Sequence, residues 1–381
     1  MPLHKRAYKS YLAISIQILL FELNRKKISQ DRLQRESGVY VVMKKWLQKG
    51  RLVSLFAMLA LLLMGCGDPT LSALIPQGEV ADKQFQLMLI SISIMILVLV
   101  VVFVLYAFVL LKFRKKKGDT STPKQVEGNH MLELLWTVIP ILLLIILAVP
   151  TVMRTFEFSA DAKPASKNEL SIKVTGHQYW WEFEYPKEEV ITSQELVLPA
   201  DTKVHVELSS ADVIHSFWIP SLAGKTDTNP GDKNKNYMWF DTGSKTDVVY
   251  KGKCAELCGA SHALMDFKVR VVSKEDYKNW VASFKAADGK SSANANGQQV
   301  FEKNCLSCHA VGQEGGNTGP SLTGFGDKDR VAGILEHNKE NLKEWIKDPQ
   351  EVKPGNNMPK VNLSDEEIDA VSDYLLGLKL K

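Results

Sequence analysis

The chain has 381 residues, 45% of them apolar and 24% charged, which is length enough for two or three domains. Its formal charge of +4 hides two unlike parts: residues 1–51 carry twelve Lys/Arg against three Asp/Glu, and loss of residues 1–65 would leave the remainder at −5. An acidic remainder excludes the basic face that nucleic-acid binding requires.

Residues 1–42 match neither a targeting segment nor a domain and read as an extension in front of a true start at Met43. A complete secretory signal occupies 43–65. Met43-Lys44-Lys45 opens a basic stretch ending at Arg51, the uncharged apolar run Leu52–Met64 follows, and small residues close it. Leu63-Met64-Gly65-Cys66 resembles a bacterial lipobox, which implies cleavage before Cys66 and lipidation of that residue. Residues 66–84 then form a short extracytoplasmic segment.

Two apolar runs come next. Phe85–Leu111 has 27 uncharged residues, ~40 Å as a helix, and Met131–Met153 has 23, ~34 Å. Both exceed the ~30 Å hydrocarbon core, so 85–111 and 131–153 are predicted to form a two-helix transmembrane hairpin. The connecting segment 112–130 holds five Lys/Arg between 112 and 117, which places it in the cytoplasm. Everything after about Arg154 then lies outside the membrane, as a lipidated Cys66 also requires. Glu133 interrupts the second run. An ionisable group there is costly and points to function, but so near the helix end it could equally reach into headgroups.

Residues 154–284 change pattern. From Leu170 to Val272, short runs rich in β-formers ("LSIKVTGHQYWWEFEY", "KVHVELSS", "VVYKGK", "FKVRVV") alternate with turn residues, which predicts an all-β sandwich or barrel. Residues 285–297, "KAADGKSSANANG", have the composition of a flexible linker. Residues 298–381 read as helical: Ser364 and Glu367 form a capping box, and Ile368, Val371, Leu375 and Leu376 share one face.

The helical domain contains Cys305-x-x-Cys308-His309. Two thiols three apart can add to the two vinyl groups of a haem, and the adjacent imidazole then reaches the iron. A zinc site would need two further Cys/His ligands, and only His337 is near. Met358 in "KPGNNMP" is the only methionine after the motif and supplies a soft sixth ligand. Residues 294–380 resemble class I cytochrome c along their whole length, with "TGPSL" at 318–322 matching the proline loop beside the proximal histidine. The resemblance implies an all-α domain with one covalent haem c.

The β region carries "CAELCGASHALM", residues 254–265. Zinc would make a Met ligand out of character, and a disulfide leaves His262 and Met265 unexplained. Copper in a β-sandwich uses thiolate, imidazole and a weak thioether together. Two thiolates can bridge two metals, and a dinuclear centre needs a second imidazole, which His215 in "SADVIHSFWIP" offers.

These motifs, with "VIHSFWIPSLAGKTDTNPG", "ELLWTVIP", "GHQYWWEFEY" and the paired helices, resemble subunit II of cytochrome c oxidase over about residues 70–280. With the haem domain the likeness is to the bacterial caa type, in which cytochrome c is fused to subunit II. It implies a cupredoxin-like sandwich with a dinuclear copper centre, CuA. The centre would be held by Cys254, Cys258, His215, His262, Met265 and the main-chain carbonyl of Glu256, whose carboxylate would face a magnesium shared with subunit I. It also implies that Glu133 opens a proton path. Tyr179 departs from the family, which usually has Trp at that position. The implied partners are subunit I, with haem a and CuB, and subunit III, with cytochrome c or a quinol–cytochrome c reductase as donor. The expected function is transfer of electrons through haem c and CuA to subunit I, where oxygen is reduced and protons are pumped. A nitric oxide reductase subunit and a stand-alone membrane-anchored carrier are the alternatives.

Overall fold

The computed structural model describes Met58 and residues 67–380, apart from 116–117, 119, 121, 123–124, 126, 161, 163–168, 232 and 288–294. Cys66, the signal and the preceding extension lie outside the described residues.

Two long helices open the described chain, α1 (Glu79–Lys112) and α2 (His130–Ala160). Both overrun the apolar runs from which they were predicted. The extra turns carry charges that pair at the outer end: Lys83 bonds to Glu157, and Arg154 reaches Glu157 at 2.6 Å. No residue in the most apolar windows of the two helices is buried in the isolated chain, an apolar surface that lipid or a neighbouring membrane helix must cover. At the paired end, Asp241 caps the Glu79 amide, Gln77 N donates to Ser221 O at 2.7 Å, and Phe158 packs edge-on against Trp239. The hairpin thus stands on the β domain, and its basic loop is at the far end.

The β domain is a sandwich of two five-stranded sheets. One runs β3 (Val190–Ser193), β2 (Trp180–Tyr185), β1 (Leu170–His177), β5 (Lys203–Ser210), β8 (Asn236–Asp241). The other runs β4 (Glu195–Pro199), β10 (Asp266–Val272), β9 (Val248–Cys254), β6 (His215–Trp218), β7 (Lys225–Thr228). Burial alternates along β1, β2 and β10 as the period of two dictates. Trp181, Phe183, Phe217 and Phe267 meet between the sheets, with Phe217 stacked on Phe267 at 4.7 Å. Antiparallel pairing sets Phe217 opposite Cys254. This register carries the aromatic core directly up to the cysteine loop.

Helix α3 (Lys274–Ala286) closes the sandwich, with Ser273 accepting from the Asp276 amide as N-cap. Helix α4 (Ala295–Asn304) starts inside the stretch predicted as linker. The correction has a packing cause: Gly297 is buried where α4 meets α7 (Asp365–Leu376), so its small size serves a helix crossing rather than a coil. The capping box at Ser364 and Glu367 is present, and Ile368, Val371 and Leu375 of α7 enter the second core with Phe301, Leu342 and Ile346. Helix α5 (Lys339–Lys347) lies against α7, and the short α6 (Pro349–Val352) follows it. A short ribbon of β11 (Arg330–Val331) and β12 (Leu335–Glu336) is the one β element among the described residues of this domain.

Candidate metal centre

The six atoms expected around copper converge at one edge of the sandwich. His215 begins β6, Cys254 ends β9, and the remaining donors lie on the turn that connects β9 to β10. Cys254 and Cys258 Sγ are 3.8 Å apart and both are free thiols. Cys254 Sγ stands 3.9 Å from His215 Nδ1 and 3.3 Å from Glu256 O. Cys258 Sγ stands 3.6 Å from His262 Nδ1 and 3.8 Å from Met265 Sδ. The arrangement is two thiols in the middle, one imidazole beyond each, and a carbonyl and a thioether as the weaker flanking donors. Such a set fits two soft metal ions between the sulfurs; a disulfide would need the sulfurs at about 2.05 Å.

The surroundings prepare these groups. His215 is fully buried, and Asp212 Oδ1 takes its Nε2 at 2.7 Å, which leaves Nδ1 aimed at the sulfurs. Burial opposes the charged ring, but the Asp212 carboxylate overrides it and the His215 pKa is raised. Burial likewise opposes a Cys254 thiolate, yet hydrogen bonds from His215 and the Ser216 amide bring that thiol down to about 7. Burial and then the neighbouring Cys254 push Cys258 up to about 12. One thiol is therefore readily ionised, and the second needs a metal to drive off its proton.

Two residues unremarked in the sequence hold the site together. Gln178 Nε2 donates to Cys258 O at 2.6 Å, and Gln178 N donates to Asp212 Oδ2 at 2.7 Å. Gln178 thus ties one thiol loop to the carboxylate that orients His215. The spacing of Asp212 three before His215 was the available signal; for Gln178 it was only adjacency to the aromatic run.

The second centre lies in the helical domain. A cavity of about 520 Å³ is lined by Cys305, Cys308, His309, Pro320 and Met358, within the size range of cofactor pockets. Pro320 O accepts from His309 Nδ1 at 2.8 Å, leaving Nε2 for the cavity. Asn356 Oδ1 accepts from the Met358 amide at 2.8 Å and fixes the methionine loop. Burial raises the Cys305 thiol to about 11, while Cys308 is exposed. One sulfur on each side of accessibility, an oriented imidazole and a thioether across the cavity fit a haem bound through both cysteines.

Glu133 and the metal sites are not brought together. It sits in the first turn of α2 at the basic-loop end, 3.4 Å from His130 Nδ1, and is half-buried in the isolated chain.

The comparisons agree with this division. Family models match in order: cytochrome c oxidase subunit II, transmembrane domain, at residues 76–153; its periplasmic domain at 187–272; and cytochrome c at 294–379. Cytochrome c oxidase subunit 2 of Bacillus sp. (strain PS3) is 50% identical over 358 residues, 89% of this chain and 100% of that protein. The subunit 2 of Bacillus subtilis (strain 168) is 48% identical, covering 89% of this chain and 99% of its own. Among solved structures, the periplasmic domain of subunit II of cytochrome oxidase from Bradyrhizobium japonicum is 32% identical over 32% of this chain and 96% of its own, with a TM-score of 0.29. Two membrane-length helices, a β-sandwich and a CxxCH helical domain in one chain, about half identical to the two Bacillus proteins over 89% of its length, make it a member of the cytochrome c oxidase subunit 2 family with a cytochrome c domain following the sandwich.

Proposed function

We propose that this chain receives electrons for a haem-copper oxidase through haem c and passes them through a CuA centre to the haems of subunit I, where oxygen is reduced to water and protons are pumped. The observation that supports the reading is the convergence of His215, His262, Met265 and the Glu256 carbonyl on the Cys254 and Cys258 sulfurs, each donor within 3.9 Å of one of them. When bound, haem c on Cys305, Cys308, His309 and Met358 would supply electrons one at a time, and the copper pair would accept them with little change in geometry. The protein's part is to orient the ligands: Asp212 holds His215, Pro320 holds His309, and Asn356 holds the Met358 loop.

The same reading places the sandwich and cytochrome domains outside a bacterial cell membrane, anchors the chain additionally by lipid at Cys66, and gives Glu133 a role at the mouth of a proton path into subunit I. The Glu256 carboxylate, exposed beside the copper donors, would share a magnesium with that subunit. Subunits I and III are the partners, and cytochrome c or a quinol–cytochrome c reductase is the donor. Gas uptake by the complex purified through this chain tests the reading. Rapid, cyanide-sensitive oxygen consumption with an electron donor is expected. Nitric oxide uptake without oxygen uptake, or neither with no co-purifying subunit, would refute it.

A further inference from the structure

The haem cavity is not closed by the cytochrome domain alone. Gln178, Tyr179 and Trp180 of the copper domain form part of its wall. Tyr179 is 4% exposed, and its hydroxyl stands between Gly259 of the cysteine loop, where it leaves no room for a side chain, and Gly355 of the methionine loop, where a Cβ would come within 3.2 Å of it. Beside it lies Lys353, five residues before Met358 and only 2% exposed. Its ammonium donates to Tyr179 O at 2.6 Å and to Ala332 O at 3.2 Å. Further bonds cross the same boundary: Ser261 Oγ to Pro354 O at 2.7 Å, Lys328 Nζ to Ser193 O at 2.7 Å, and Ser193 Oγ to Ser321 O at 2.9 Å. Lys268 and Asp329 pair at the rim.

A buried lysine spent on two main-chain carbonyls is foreign to a transient contact. Encounters between diffusing redox partners rest on exposed charge and are screened by salt. Desolvating an ammonium is costly and is tolerated only when its acceptors are fixed. Here the acceptor is the carbonyl of Tyr179, one residue from Gln178, whose side chain bonds to Cys258 O. The methionine loop and the cysteine loop are thus joined through two hydrogen bonds and one peptide unit.

We propose that Lys353 is a positioning residue for electron transfer, locking the tethered cytochrome domain into a fixed seat with its haem cleft against the Gln178–Tyr179 turn. The inference rests on the haem c and CuA reading above. The step it would serve moves one electron: haem c held by Cys305, Cys308, His309 and Met358 would give it up, a copper pair held by Cys254, Cys258, His215 and His262 would take it, and a one-electron donor protein would restore the haem. A fixed seat makes this transfer independent of repeated docking, although the tether alone already supplies an effective concentration on the order of millimolar.

The test is Lys353→Met in the full complex, which keeps the length of the side chain and removes its donors. Flash-initiated haem-to-copper electron transfer is expected to slow roughly tenfold to a hundredfold and to become salt-dependent, with both optical spectra and both potentials unchanged. Hydrogen exchange on the full complex is the independent readout: amides of 178–180 and of the segment from Lys353 to Met358 are expected to be protected together in the native protein and to lose protection together in the variant. Lys328→Met, which removes the second boundary lysine that bonds to a main-chain carbonyl of the other domain, is expected to give the same pattern more weakly, and it carries the test if Lys353→Met does not fold. An unchanged rate and unchanged protection would overturn the proposal. Absence of the two-copper spectrum or of covalent haem in the native complex would instead overturn the reading beneath it.

Discussion

Gly176 of β1 is the sharpest place to probe the copper site without touching a ligand. A Cβ built there would lie 2.7 Å from His215 Cδ2, 3.1 Å from Cγ and 3.2 Å from Thr228 Oγ1. Carbon atoms rest at about 3.5–4.0 Å, so Gly176→Ala must push the imidazole away. The ring has nowhere to go: it is fully buried, held at Nε2 by Asp212 at 2.7 Å and flanked by Trp181. Overpacking of this kind costs about 1–3 kcal/mol. The backbone ladder of β1 with β2 and β5 does not depend on the missing side chain, so the sandwich should stay folded while the ligand is misplaced. Copper affinity is expected to fall roughly 10–100-fold, the usual effect of disturbing what orients a ligand. Copper titration of the metal-free chain, followed by the two-copper absorption and with far-ultraviolet circular dichroism as the check on fold, measures it. An affinity within about twofold of native, with the same spectrum, would show that His215 is not the ligand this geometry makes it.

Two other outcomes follow from the donor chemistry. Met358→Ala should lower the haem potential while covalent attachment through Cys305 and Cys308 persists, which redox titration and a denaturing gel stained for haem report together. Copper uptake should also depend on pH. Between about 7, where Cys254 ionises, and about 12, where Cys258 does, binding must expel the Cys258 proton. Apparent affinity is therefore expected to rise close to tenfold per pH unit across the accessible alkaline range, and a flat profile would mean that both thiols are already ionised.

The sequence is most legible where chemistry is local. Cys254, Cys258, His262 and Met265 lie within one turn, and Cys305, Cys308 and His309 within another, so their spacing nearly determines their geometry. His215 needed the inference of a dinuclear site, because β6 comes beside Cys254 only through strand pairing. Helix ends were less legible. Glu79, Lys83, Arg154 and Glu157 look like charges that stop an apolar span, yet they extend α1 and α2 by pairing with each other. Lys353 was invisible for a different reason. In "EVKPGNNMP" it reads as an exposed loop lysine, and only the seating of one domain on another buries it. Burial that arises from domain docking leaves no periodicity in the segment it covers.

That seating also bears on where an external donor can act. Tyr179 and Ser261 of the copper domain are buried beneath the bonds to Lys353 and Pro354, whereas Glu256 and Leu257 of the cysteine loop stay exposed, so the cytochrome domain covers one side of that loop and leaves the other open. At the rim of the haem cavity Cys308 remains exposed and Met358 only half-buried. A donor protein that approached this rim would leave the contact between the two domains intact. One that approached the copper donors from the Tyr179 side would first have to break the bonds of Lys353, Ser261, Ser193 and Lys328 across the boundary. The tether keeps the haem domain near, and the buried lysine keeps it in one orientation. Under the function proposed above, together they would make the haem a fixed relay in series with copper, rather than one carrier competing with others for the same face.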